Sequence, residues 1–238
     1  DLYTLSDGQI YINEECQSWF EQYIPYPNRE TSFILDGDLP SGKYLNNNFC
    51  SKLSKTDGEM HILNSGRLVG LSLRDINYLC QQKIHIHSYG SNSPLVHCAQ
   101  QANPTYFHVH GYWVTEYSQY DAGLSHCFLS KNYNELVRTS WDDLNIPAKM
   151  NTFAIAGLPM IQRNNSGHIV ATQRIADTFD CNISFSTLEE LVETLRNTKR
   201  MAELTHHIMK ERELFVFDTH VPALMDFFKV IIKMKELH

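Results

Sequence analysis

The chain has 238 residues, 42% of them hydrophobic and 11% aromatic, which is enough for a substantial core in one large domain or two small ones. Twenty Lys plus Arg against twenty-seven Asp plus Glu leave a formal charge of −7, which argues against phosphate-backbone binding and so against nucleic acid as the partner. The longest apolar runs fall far short of the ~20 residues of a membrane span, and the opening Asp1-Leu2-Tyr3 has neither the charged nor the apolar region of a signal peptide. A cytoplasmic globule without a transmembrane segment is expected. The missing initiator Met points to a piece of a longer protein. Six scattered cysteines with no C-x-x-C pair read as reduced core residues.

In chain order, short apolar runs predict strands at 8–13, 31–37, 59–66, 83–90, 105–113, 122–130, 158–162 and 181–186. Between them lie "SLRDINYLCQQ" and "NSPLVHCAQQA", each opened by a Ser or Asn suited to capping a helix. Strand–helix–strand repetition implies parallel pairing and right-handed crossovers, so 59–186 is expected to form a doubly wound, Rossmann-like α/β sheet. Such a sheet holds its ligand where the carboxyl ends of strands meet helix N-termini. Residues 187–214 read as one or two amphipathic helices, and 220–237 as a closing helix with Pro222 in its first turn. The stretch 43–59 is the best linker candidate.

One short helix is chemically suggestive. In "NIPAKMNTFAIAGLPMI" (145–161), Asn145, Lys149 and Thr152 recur at helical spacing, as do the apolar Ile146, Met150 and Phe153. Asn145 is suited to cap the helix, Pro147 to its first turn and Gly157 to a left-handed ending. An amine and a hydroxyl near the positive end of a helix suit a phosphate or a ribose; the plainer alternative is a stripe that faces water.

This stretch resembles the nucleotide-sugar helix of glycosyltransferases of the B-type two-domain fold, where a pattern close to P-x-K-x-x-E-Y-x-A-x-G-x-P-V-I is usual. Four further segments follow in the family's order. "SGRLVGLS" (65–72) resembles the G-R turn after the first donor-domain strand, "IHIHSYG" (84–90) a strand ending in Gly, and "HVHGYW" (108–113) and "YDAGLSHCF" (120–128) the next two strands. The resemblance covers most of 31–186. It implies that Arg67, in the turn opened by Gly66, pairs with the donor diphosphate as a delocalised fork. Lys149 would add a second charge for the departing nucleotide diphosphate. The loop after Gly90 would approach the nucleotide, backbone around His110 and Gly111 would read the base, and Gly157 would let the helix end and the sheet pack closely.

The resemblance further implies a nucleotide-diphosphate sugar as donor substrate, no tightly bound cofactor or metal, and a glycan or small molecule as acceptor. Thr152 stands where a Glu usually holds the ribose hydroxyls, and the usual Lys beyond the G-R turn is missing, with only Arg74 further along. Residues 1–45 resemble only the last strand and helix of the preceding acceptor-binding domain plus a linker, and 46–238 the donor-binding domain with a closing helix. An N-terminal domain is thus expected to be missing, and the chain alone to bind a donor without transferring it. A non-catalytic α/β nucleotide-binding or interaction module is the alternative.

The twelve His allow a third reading. His85 and His87 share one strand face, as do His108 and His110, so neighbouring strands could gather four imidazoles into a zinc or iron site of a metallohydrolase. Against it, a parallel sheet is covered on both faces, where imidazoles simply pack, and nothing acidic lies at ligand spacing beside these pairs. Asp121 reads as fixing a turn, and Asp36 and Asp38 as turn residues.

Overall fold

A computed structural model describes residues 2–45 and 48–236. Asn46 and Asn47, in the expected linker, lie outside the described residues. The chain opens with helix α1 (Leu2–Leu5), strand β1 (Gln9–Tyr11), helix α2 (Glu14–Tyr23) and strand β2 (Ser32–Ile34). β1 and β2 pair in parallel as a separate two-stranded sheet. Asn13 caps α2 by accepting from the Cys16 amide, and its own side-chain amide donates to the Leu144 carbonyl at 2.6 Å, tying this unit to the rest.

The short helix α3 (Ser54–Asp57) leads into β3 (Met60–Ser65), α4 (Leu73–Gln81), β4 (Ile84–Tyr89), α5 (Pro94–Ala102) and β5 (Phe107–Val109). Then come β6 (Ala122–Leu124), α6 (Trp141–Leu144), α7 (Ala148–Ile155), β7 (Met160–Arg163), α8 (Ala171–Thr178) and β8 (Asn182–Phe185). Helices α9 (Leu188–Arg196), α10 (Thr198–Glu211) and α11 (Phe217–Glu236) close the chain. All eight expected strands form, although the run at 122–130 is a strand only over Ala122–Leu124. Ser72 caps α4 in a reciprocal box with Asp75, and Ser93 caps α5.

The six-stranded sheet is parallel throughout in the order β5-β4-β3-β6-β7-β8, the doubly wound topology whose direction reverses between β3 and β6. One face buries Ile62, Ile86, Phe107, Leu124, Ile161 and Phe185 against α4, α5 and α9. The other buries Leu63 and Met160 against α7, α8 and α10. Gly123 is required there, because a Cβ on it would lie 2.4 Å from the Phe153 ring.

Several expectations need correction. The closing helix starts at Phe217, three residues before the expected His220, so Pro222 sits inside it beyond the first turn. That helix packs on the N-terminal sheet, with the Phe33 and Phe227 rings stacked at 5.3 Å. All six cysteines are free, but Cys50 and Cys98 are exposed and do not belong to the core. Asp36 accepts from the Asp38 amide at 3.0 Å, the turn read from the sequence. Among the described residues no helix is long and apolar enough to cross a membrane.

Candidate functional site

The carboxyl ends of β3, β4 and β5 are stitched together by backbone. The Gly66 amide donates to the Tyr89 carbonyl at 2.8 Å, and the Gly90 amide to the Gly111 carbonyl at 3.1 Å. Gly66 and Gly90 both sit in the left-handed region, at φ 81° and 69°, which lets the chain turn off each strand within one residue. A Cβ on Gly66 would meet nothing within 4 Å, so this rim is open to an approaching group. His110 and Gly111 are less free, because the His110 amide donates to the Ser88 carbonyl at 2.9 Å and the Gly111 carbonyl is taken by Gly90. The backbone there is thus fixed at the exposed end of β5.

Arg67 follows β3 directly, at the switch point of the sheet. Its guanidinium is 75% exposed and pairs with Asp142, at the start of α6, at 3.2 Å. Lys149, in the first turn of α7, donates from Nζ to the Arg67 carbonyl at 3.3 Å. The Lys149 amine thus sits on the main chain of the Arg67 turn, 82 residues away in sequence, with the Arg67 guanidinium near enough to repel it. Burial pushes the Lys149 amine down to about 8, and the Arg67 guanidinium adds repulsion.

The start of α7 differs from the sequence expectation. Asn145 ends α6 and caps nothing in α7, whose own N-cap is Pro147, without a side-chain acceptor. The first amides of α7 thus lack a capping side chain, the condition under which a helix start receives an anion. At the other end Gly157, at φ 69°, closes α7 in a Schellman motif, with Leu158 N–H donating to Phe153 and Gly157 N–H to Ala154. A Cβ there would strike Met209 of α10 at 2.6 Å, so Gly157 lets α7 and α10 pack closely.

His126 escaped the sequence reading. It follows β6 across the switch point from Arg67, is 3% exposed, and its Nδ1 has no hydrogen-bond partner within the protein. Burial first, then the Lys149 cation, pushes it down to about 4, so it is a neutral imidazole beneath the cation pair. The signal was its place at the end of a strand in "GLSHCF". Thr152, one turn beyond Lys149, turns its hydroxyl back to the Ala148 carbonyl at 3.2 Å. It also lines a groove of about 680 Å³ with Ile155, Phe49, Trp113, Glu116 and Tyr117. Arg67 and Lys149 lie outside that groove's lining. Glu116 thus brings a carboxylate to the groove in which Thr152 replaces the expected Glu, although its Oε1 is held by Ser118.

The histidines assemble more completely than sequence indicated. His61 joins them, and imidazoles link as His61–His87–His110 at 2.9 and 3.0 Å and as His85–His108 at 2.9 Å. The expectation that no acid stands near them is overturned. Asp57 Oδ2 lies 2.9 Å from His61 Nε2, and Glu59 Oε2 lies 2.9 Å from His85 Nε2. The expectation that imidazoles pack on a covered face holds for β3 and β4, where His61, His85 and His87 are buried, and the cover loosens only at the edge strand β5, where His108 is half-buried and His110 exposed. The crossover from β5 to β6 over 110–121 carries no helix, so this face of β4 and β5 is lined by rings instead of aliphatic side chains.

No protein-family model matches the chain, and no curated protein matches it in sequence. Solved structures do match. TarM superposes with a TM-score of 0.57 at 9% identity over 95% of this chain and 44% of its own. AviGT4, a glycosyltransferase involved in avilamycin A biosynthesis, superposes with a TM-score of 0.57 at 11% identity over 94% of this chain and 63% of its own. The fold is that of the B-type glycosyltransferases. The parallel sheet is consistent with the C-terminal-domain type of that fold, and the chain spans less than two thirds of either structure.

Proposed function

We propose that this chain is a donor domain that binds the diphosphate of a nucleotide-activated sugar at the switch point of its sheet. The observation that carries the reading is the meeting of Arg67 and Lys149 at the uncapped start of α7. A guanidinium fork and an amine beside a helix start without a capping side chain form a cradle for two linked phosphates. The same charges would stabilise the leaving nucleotide diphosphate as the glycosidic bond breaks, without a metal. The neighbouring groove, with Trp113 85% exposed at its edge and Glu116 and Thr152 in its lining, is sized for the nucleoside. Residues 1–45 would then be the end of an acceptor-binding domain, and transfer to a glycan or small-molecule acceptor would require that domain.

Isothermal titration with uridine, guanosine, adenosine, cytidine and thymidine diphosphates and their sugars tests this. One of them should bind with one-to-one stoichiometry, and Arg67→Ala and Lys149→Met should each weaken it at least tenfold. Failure of all of them sinks the reading. A second reading, a binding module without transfer chemistry, is favoured by the Thr152 hydroxyl spent on its own helix and by the neutralisation of Arg67 by Asp142. Nucleotide binding without turnover of the sugar, with an acceptor domain supplied, would select it.

A further inference from the structure

We infer that Asp57, His61 and His85 form a binding site for a zinc-class divalent cation, at the amino ends of β3 and β4 and thus opposite the rim that carries Arg67. Each residue offers one ligand atom, and the three atoms lie within 4.8 Å of one another. Asp57 Oδ2 is 2.9 Å from His61 Nε2 and 3.9 Å from His85 Nε2. A tetrahedral ion with bonds of ~2.1 Å needs ligand atoms about 3.4 Å apart, which these separations bracket. Glu59 Oε2 is 2.9 Å from His85 Nε2 but falls outside the group whose ligand atoms lie within 4.8 Å, so it must move to become a fourth donor. Two imidazoles with one or two carboxylates suit zinc or cobalt and not calcium, which takes oxygen alone.

Two features mark a built site rather than an acidic patch. The far nitrogen of each ligand ring is already engaged, His61 Nδ1 by His87 and His85 Nδ1 by His108, both at 2.9 Å. Such outer partners fix the tautomer and aim the metal-facing nitrogen. The acid is positioned too, since Asp121 accepts from the Ser54 hydroxyl at 2.6 Å and from the His61 amide at 2.8 Å, locking α3 against β3. Access is open, because Asp57 is exposed while both imidazoles are buried behind it. Lys83 reaches Glu59 at 3.5 Å and must yield if Glu59 ligates. The His61 and His85 rings are parallel within 4° and 4.2 Å apart, so loading requires them to tilt toward one ion.

The test is titration of the metal-free chain with Co²⁺, read by its visible absorption, and with Zn²⁺ by calorimetry. One equivalent is expected at micromolar affinity or tighter, with Ca²⁺ failing to compete. Asp57→Asn, an exposed and nearly isosteric change, should weaken Zn²⁺ at least tenfold while the metal-free melting temperature stays put. His206→Ala with His207→Ala, on α10, should leave binding unchanged. Saturable binding that Asp57→Asn does not weaken, equal competition by Ca²⁺, or no one-equivalent binding would each overturn the site.

Discussion

Replacing Lys149 by Met should make the protein more stable and less able to hold a diphosphate, with opposite pH signatures for the two effects. The amine's ordinary value of 10.5 falls to about 8 in the fold, mainly through burial. Between those values the unfolded chain binds a proton that the native one does not, so stability rises with pH across that window. Below about pH 8 the native state carries the full cost of a desolvated cation. Discounted for the partial exposure of Lys149, Lys149→Met should gain about 1–2 kcal/mol at pH 7, and the gain should disappear above about pH 10.5. Binding runs the other way. Diphosphate selects the charged amine, which is about nine-tenths populated at pH 7 and about one-tenth at pH 9. Affinity should therefore fall about tenfold, or about 1.4 kcal/mol, across those two units, over a range where the terminal phosphate (second pKa about 6) is already ionised. Urea melts and titration calorimetry of both proteins at pH 7, 8 and 9 measure both trends. A wild-type affinity flat with pH, or the same fall in Lys149→Met, would refute the assignment of the charge to this amine.

Asp142→Asn should strengthen diphosphate binding two- to fivefold in the same titration, because an exposed ion pair worth ~0.2–1 kcal/mol no longer competes for Arg67; weaker binding would mean that Asp142 orders the site. Gly70→Ala should cost at least about 2 kcal/mol in urea denaturation, since its φ is +83° and a Cβ would lie 2.1 Å from the Cys127 carbonyl carbon. Gly66→Ala, at φ +81° but with open space around it, should cost only about 1 kcal/mol, and equal losses at the two positions would show that backbone strain rather than the clash sets the effect. Burial holds the His126 imidazole at about 4, so ligand affinity should show no titration step between pH 5.5 and 7 attributable to it, and His126→Gln should leave the pH profile in that range unchanged.

The sheet was legible because parallel strands buried on both faces write themselves as short apolar runs, and "MHILNS" and "IHIHSY" kept that signature even with polar residues interleaved. The Gly66, Gly90 and Gly157 turns were legible for a related reason, as left-handed positions that favour glycine. Pairings between remote segments were not. Nothing in "SWDDLN" announces that Asp142 will neutralise Arg67, 75 residues away, and the strand-end position of His126 in "GLSHCF" does not by itself bring it near Lys149. Helix bounds failed where local and tertiary preferences disagree. Asn145 has a good N-cap's chemistry but serves as the C-cap of α6, and Pro222 has a first-turn preference yet lies inside a helix that begins at Phe217, where the Phe217 amide donates to the Pro40 carbonyl.

The histidines show how one missing element rewrites both a surface and its chemistry. In a doubly wound sheet each crossover helix covers two strands, and with none between β5 and β6 the irregular chain of 110–121 takes its place, leaving β4 buried but β5 partly open. Aliphatic side chains there would present an exposed apolar patch. Imidazoles tolerate the half-wet setting, stacking at 4.2 to 5.2 Å while passing hydrogen bonds from ring to ring. A run of stacked rings needs an acceptor at its end, and Asp57 and Glu59 supply it at the amino edge, while His110 stacks on Tyr89 at 4.3 Å beside the carboxyl rim. This face of the sheet thus joins its two ends through hydrogen-bonded nitrogens. Asp57, His61, His87 and His110 are thereby linked in one hydrogen-bonded series whose ends lie 53 residues apart in the chain.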